Sequence, residues 1–269
     1  MTKHPRYQHT PEALFLHVYV FVDDWLKQNE LTLKLPRQRQ QVASYSELFT
    51  IALVGEMLAQ PYESVWYWVV RHSYSKLFPH LPEYSRYHRI IRNAEPLLAS
   101  LALAVAPREE VHLIDSKPLP IAKGKRQDWA KLPEPRLGFS TLGPIFGFKL
   151  HALVTRTGLF RRWAFVSADA ADVTVARELL EGLEDEVVLG DKAYLGSGAI
   201  TPARSNMTRD TGWCKMFNRL RKRIETTFSS LVRSLTLHAA QVKTFWSLRT
   251  RVNLKIAAYN LLHSGVPFR

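Results

Sequence analysis

Three acids stand where a lone carboxylate is hard to accommodate. Asp115 interrupts the apolar run Leu113-Ile-Asp-Ser, and Asp191 ends the run Val187-Val-Leu-Gly-Asp. Both runs read as strands, and burying an unpartnered carboxylate in a strand is costly. Glu225 is the only acid after position 211 and sits among Arg219, Arg221, Lys222 and Arg223. Singly, each has an ordinary explanation: a strand Asp caps a turn, and a Glu among arginines forms salt bridges. Jointly, two strand acids and a helical acid beside a basic surface are what a shared hard cation needs. Mg²⁺ takes oxygen donors, commonly a few carboxylates completed by water and substrate phosphate. Two such ions about 4 Å apart activate a water or a 3′-hydroxyl and stabilise the leaving oxygen of a phosphodiester. The three carboxylates are then expected to converge within a few ångströms.

The cations around them suit phosphate. Lys149 and His151, two apart on one strand face, either meet a scissile phosphate or form an outer-face pair. Lys192 and Arg204 flank the proposed metal site, and Arg219, Arg221 and Arg223 crowd Glu225. Lys34, Arg37 and Arg39 sit in a polar linker that either touches a backbone or is simply solvated. Asp169 and Asp172 are expected to cap a helix rather than bind metal. Trp66, Tyr67 and Trp68 are expected in helix contacts, and Trp213 and Phe217 in a core more than against an extruded base. The Glu184-Asp-Glu186 run reads as a solvated turn, and Cys214 as a passenger.

Two kinds of texture position these residues. Residues 1–105 read as helical. An amphipathic helix covers 14–22. Ser44-Tyr-Ser-Glu47 is a capping box ahead of an apolar run over 48–58 that Pro61 ends. A Trp/Tyr-rich helix covers 63–77, and a further one covers 85–104 with a kink at Pro96. From position 107 the pattern changes to a strand over 111–121, a Lys/Gly/Pro-rich loop over 122–144, and a hairpin of 146–155 and 159–167 about Gly158. A helix over 172–183, a strand over 186–191, a short strand over 199–203, and helices over 217–235 and 244–263 complete the chain. Strands interleaved with helices make this an α/β unit rather than a bundle or sandwich. The expected organisation is a helical domain over 1–105 and an α/β domain over 106–269 that includes the basic C-terminal helices.

Composition narrows the class of partner. The chain has 269 residues, 37 Lys/Arg against 24 Asp/Glu, and 46% apolar residues. It is therefore able to form cores and carries a net charge of +13. The excess is localised: residues 201–269 hold 13 Lys/Arg, nine of them Arg, against two acids. A localised positive field points to a polyanion, nucleic acid before an anionic membrane. The single cysteine excludes an internal disulfide framework and any Cys-cluster metal site, and fits a reducing cytosol. The N-terminal apolar run is too short and too interrupted to span a membrane, and no secretion signal is evident at the start.

The motifs resemble those of DDE transposases of bacterial insertion sequences, closest to the IS982 family within the broad IS4/IS5-like group. They are Ile114-Asp-Ser-Lys-Pro-Leu-Pro120, Gly147-Phe-Lys-Leu-His151, Leu189-Gly-Asp-Lys-Ala-Tyr194 and Arg223-Ile-Glu-Thr-Thr-Phe228. Tyr45-Ser-Glu-Leu-Phe-Thr-Ile51 and Leu77-Phe-Pro-His-Leu-Pro-Glu-Tyr-Ser-Arg86 extend the resemblance to the N-terminal part. Ala193 stands where such families often have Gly, and Asn218 and Val232 occupy positions where IS4 relatives carry Tyr and Lys. The resemblance implies an RNase H-like catalytic core preceded by an all-helical N-terminal domain. It implies Asp115, Asp191 and Glu225 as catalytic metal ligands for two Mg²⁺ ions, with Mn²⁺ able to substitute. It also implies double-stranded DNA as partner, both terminal inverted repeats and target, a homodimer that brings two ends together, and a bacterial, nucleoid-associated location without a membrane. A metal-dependent nuclease lacking strand transfer, and a catalytically silent DNA-binding derivative, are the competing readings.

Overall fold

The computed structural model describes residues 9–29, 43–122, 136–140, 143–183, 185–203, 213–237 and 244–268. The chain divides into two units. The first comprises Met1–Val105, Leu231–Val242 and Trp246–Arg269; the second comprises Ala106–Ser230 and Lys243–Phe245.

The first unit is helical. Its helices are α1 (Pro11–Gln28), α2 (Tyr45–Met57), α3 (Glu63–Ser73), α4 (Tyr84–Asn93) and α5 (Glu95–Ala104), with α8 (Phe245–Ser264) at the C-terminal end. The capping box forms as expected: Glu47 N–H donates to Ser44 Oγ at 3.1 Å, and Ser44 N–H donates back to Glu47 Oε2 at 2.6 Å. α2 is apolar all round and buried on nearly every side, which marks it as the central helix. α3 lies close to it at Gly55, where an added Cβ would fall 2.5 Å from the Trp66 ring. Trp66 Nε1–H donates to the Ile51 carbonyl at 2.8 Å. Trp66 and Tyr67 are buried as expected, whereas Trp68 is 60% exposed and outside the core.

Two expectations are corrected here. The segment 85–104 is two helices, not one kinked helix. Proline has no N–H with which to continue the helical ladder, so α4 ends at Asn93 and α5 restarts with Pro96 in its first turn. The second correction concerns α8, expected with the α/β domain: from Trp246 onward it belongs to the helical unit. Its buried polar groups explain why. Lys255 Nζ donates to Glu56 and to the Leu235 carbonyl, Arg251 pairs with Glu56 at 2.9 Å, and Asn260 Nδ2 donates to the Ala102 carbonyl at 2.9 Å.

The second unit is built on a five-stranded mixed sheet. Its strands are β1 (Val111–Ala122), β2 (Arg136–Ser140), β3 (Gly143–Thr155), β4 (Phe160–Ser167) and β5 (Val187–Leu189). β3 pairs antiparallel with β1, β2 and β4, and β5 joins β1 in parallel. α6 (Asp172–Leu180) lies in the crossover from β4 to β5, and α7 (Lys215–Arg233) follows. The region 122–144, expected as a loop, contains β2 and the start of β3; residues 123–135 lie outside the described set. Its Gly and Pro residues hide an edge strand from periodicity. The short strand expected at 199–203 is a single parallel bridge, Leu189 to Ile200.

The register assigns the two sheet faces. Ile114, Leu153, Val175, Ala176, Leu179, Val188 and Tyr194 form one core beneath α6. Asp115 pairs with Ala152 and Ile114 with Leu153, so alternation turns Asp115 to the opposite face. That face also carries Phe160, the partner of Val154, whose ring meets Phe228 of α7 with centroids 6.1 Å apart. α7 therefore covers the face that bears Asp115.

Candidate active site

β1 and β5 are hydrogen-bonded neighbours whose pairing runs to Leu113 and Leu189, and Asp115 and Asp191 each follow two residues later, where β5 ends. Gly190 faces Ile114 and Tyr194, where an added Cβ would fall 3.0 Å from Ile114 Cγ2. Asp191 is half-buried, and its Oδ1 accepts from Ala193 N–H at 2.8 Å, capping a single 3₁₀ turn (Lys192–Tyr194). Glu225 projects from α7 and pairs with Arg221 at 3.0 Å, one helical turn earlier.

Asp115 registers all of these neighbours. It is half-buried, and Ser116 N–H donates to its Oδ1 at 2.8 Å. Burial pushes its carboxyl up to about 6; Asp191 and Glu225 push it further in the same direction, while the Ser116 hydrogen bond and Arg221 oppose them. Tyr194, buried below Asp115, is raised as well, first by desolvation and then by that carboxylate.

The expected convergence into a ready metal site is not found: among the described residues no group of three acidic, imidazole or thiol side chains stands ready to hold a metal ion. The three carboxylates share a field, but Asp191 is spent on a cap and Glu225 on Arg221. As a donor set they suit a hard divalent ion: all are carboxylates, and cation binding would relieve the repulsion at Asp115.

The remaining sequence candidates separate by face. Lys149 and His151 lie on the α6 side, away from Asp115. Lys149 Nζ donates to Asp172 Oδ1 at 2.8 Å and to the Ala170 carbonyl at 3.0 Å. His151 is fully buried, its Nε2 3.6 Å from Asp172, and desolvation drives its pKa down to about 4. Asp172 is thus the anion between the partly buried Lys149 and the buried His151 rather than a cap; the N-cap of α6 is Ala171. Asp169 accepts from Ser167 at 2.5 Å and likewise caps nothing. Lys192, Arg219 and Arg223 are exposed and Arg221 is half-buried; Arg204 lies outside the described residues, as do Lys34, Arg37 and Arg39. Trp213 and Phe217 are half-buried, edge to face at 5.6 Å, and not in a core. Sequence reasoning gave Tyr194 no role and Asp172 only that of a cap. Tyr194 had a signal, three residues after Asp191 within one motif; Asp172 had none, because its partners are 21 and 23 residues away.

A family model described as "Transposase DDE domain" matches residues 106–243. Curated proteins returned no match, and neither did solved structures. No described helix is long and apolar enough to cross a membrane.

Proposed function

The chain belongs to the transposase DDE domain family, and on that premise we propose that it moves a bacterial insertion sequence of the IS982 kind. It binds the terminal inverted repeats as double-stranded DNA, cleaves beside them and joins the freed ends to target DNA. The observation that carries this reading is the shared field of Asp115, Asp191 and Glu225. Two acids come from adjacent strands and the third from the helix over the same sheet face, and both neighbours raise Asp115. The sheet order, three antiparallel strands followed by a parallel fourth and a bridging segment, supports an RNase H-like core.

In this reading Asp115, Asp191 and Glu225 hold two Mg²⁺ ions, or Mn²⁺ in their place. Bound there, the ions supply nucleophile activation and leaving-oxygen stabilisation. The protein's own groups prepare the site. Ser116 N–H fixes one Asp115 oxygen, and Ala193 N–H fixes one of Asp191. Arg221 neutralises Glu225 in the resting site. The same guanidinium has the planar fork suited to a DNA phosphate, so Arg221 would serve both the Glu225 carboxylate and the DNA backbone. Lys192, Arg204, Arg219 and Arg223 contact backbone phosphates. Lys149 orders the α6 face through Asp172. The helical unit reads the element ends, the α/β unit performs the chemistry, and a homodimer in the bacterial cytoplasm brings two ends together at the nucleoid.

The test is strand transfer from a DNA carrying the element ends, with Mg²⁺, followed by sequencing of the joints. Joined products with short target duplications support the reading. Cut ends that never join would leave a metal-dependent nuclease, and binding without cutting would leave a silent DNA-binding protein.

A further inference from the structure

α7 has three differently equipped sides. Ile224, Thr227, Phe228 and Leu231 form its buried stripe. Arg221 and Glu225 lie on one flank. Arg219, Lys222, Arg223 and Thr226, spaced i, i+3, i+4 and i+7, lie on the other. At 3.6 residues per turn the centres of the two flanks are about 130° apart around the axis. The basic flank therefore faces away from the carboxylates.

It faces a wall supplied by the β3–β4 turn. With Arg156 and Thr157, the basic flank lines a groove of about 410 Å³. The turn is fastened to the helix. Thr227 Oγ1–H donates to the Gly158 carbonyl at 3.0 Å. Gly158 has φ +96°, and an added Cβ would fall 2.9 Å from Thr227 Oγ1 and 3.1 Å from Arg223 Cδ. Within the turn, Gly158 N–H donates to the Thr155 carbonyl at 2.9 Å. Thr157 Oγ1–H donates to Glu109 at 2.8 Å, and Glu109 itself does not line the groove.

Arg156, Arg219, Lys222 and Arg223 are all exposed, and none has an acidic partner among the described residues. Four cations around one concavity, one on the turn and three on α7, repel one another unless an anion lies between them. The matching chemistry is a run of phosphates, since isolated surface cations would gain more by pairing with nearby acids.

We propose that this groove grips the sugar–phosphate backbone of double-stranded DNA at a stretch separate from the phosphodiester held at Asp115, Asp191 and Glu225. The inference rests on the transposase reading and adds to it a second DNA path across α7. One flank of the helix serves the cut, and the other anchors DNA.

The test uses the full chain and a 40-bp duplex carrying an element end, with EDTA present so that no cutting occurs. Affinity is measured from 50 to 200 mM salt for wild type and for R156A/K222A. Each lost phosphate contact lowers the log–log salt slope by about 0.9, so the double variant should lower it by about 1.8. Over that fourfold rise in salt it should lose about twelvefold less affinity than wild type. R156K/K222R, which keeps both charges, should restore the slope, and E225Q should not lower it. Independently, bound DNA should protect Lys222 from an amine-acylating reagent in wild type and in E225Q alike. A steep wild-type slope left unchanged by R156A/K222A, or an unprotected Lys222, overturns the groove while leaving the transposase reading intact. A wild-type chain that does not bind DNA at all overturns both.

Discussion

Replacing Asp115 with asparagine should make the metal-free sheet more stable while ending its chemistry. The carboxyl rises from an ordinary 3.8 to about 6 in the fold, with burial the first cause and Asp191 and Glu225 adding to it. An acid whose folded pKa is raised binds its proton more tightly when folded, so stability falls as pH rises between those values. Above pH 6 the ionised folded state carries the whole penalty, at most about 3 kcal/mol. Asp115 is half-buried, so solvent relieves part of this and about 1–2.5 kcal/mol remains. Asparagine has the same shape and keeps an oxygen for Ser116 N–H, so it removes the penalty without removing the hydrogen bond. The two-unit chain is poorly served by a single melting midpoint, and hydrogen exchange of β1 and β3 amides reads the sheet directly. With EDTA present, Asp115→Asn should raise their protection about five- to seventyfold at pH 7. The gain should shrink through pH 6 to 4 and vanish below it. Mg²⁺ should close the gap by protecting wild type alone. Lower protection in the variant, or a difference independent of pH, would refute the idea that Asp115 sits among repelling carboxylates.

Other outcomes follow from specific contacts. Glu56→Gln leaves Arg251 and Lys255 buried with half their charge unpaired, and urea denaturation should show a loss of about 3–5 kcal/mol in the helical unit. Gly158→Ala forces a side chain into a left-handed backbone against Thr227, and should lower thermal stability by about 1–3 kcal/mol. Asp172→Asn strips the anion from Lys149 and His151; calorimetry should show destabilisation of about 1–3 kcal/mol, with DNA affinity at fixed salt nearly unchanged. If Asp172 served DNA binding instead, affinity would move and stability would not.

Much of this was legible in the sequence. Period-2 alternation found β1, β4 and the body of β3, and Gly158 marked the hairpin. The capping box at Ser44 placed the start of α2 to the residue. Apolar patterning could not say which unit owns α8. A helix buried on all sides looks the same in either core, and its assignment depends on Glu56 and Glu95, each more than 150 residues away. β2 was hidden by its short length and Pro/Gly surroundings. At the site, the acids were legible as misplaced charges. Their pairing state was not: Glu225 on Arg221 is an ordinary i, i+4 pair, and Asp191 on Ala193 an ordinary cap. Lys149 and His151 were placed correctly on one strand face. Which face it was depended on the register of β3 against β1, and that register turns them toward Asp172.

The central claim is that Asp115, Asp191 and Glu225 act as one metal site. Its most direct measurement is anomalous diffraction from crystals of the full chain bound to element-end DNA and Mn²⁺. Density should appear between Asp115 and Asp191, with carboxylate oxygens at about 2.2 Å and Glu225 turned from Arg221 to join them. Mn²⁺ density away from the aspartates, or Glu225 still paired with Arg221 in the metal-loaded complex, would contradict the account.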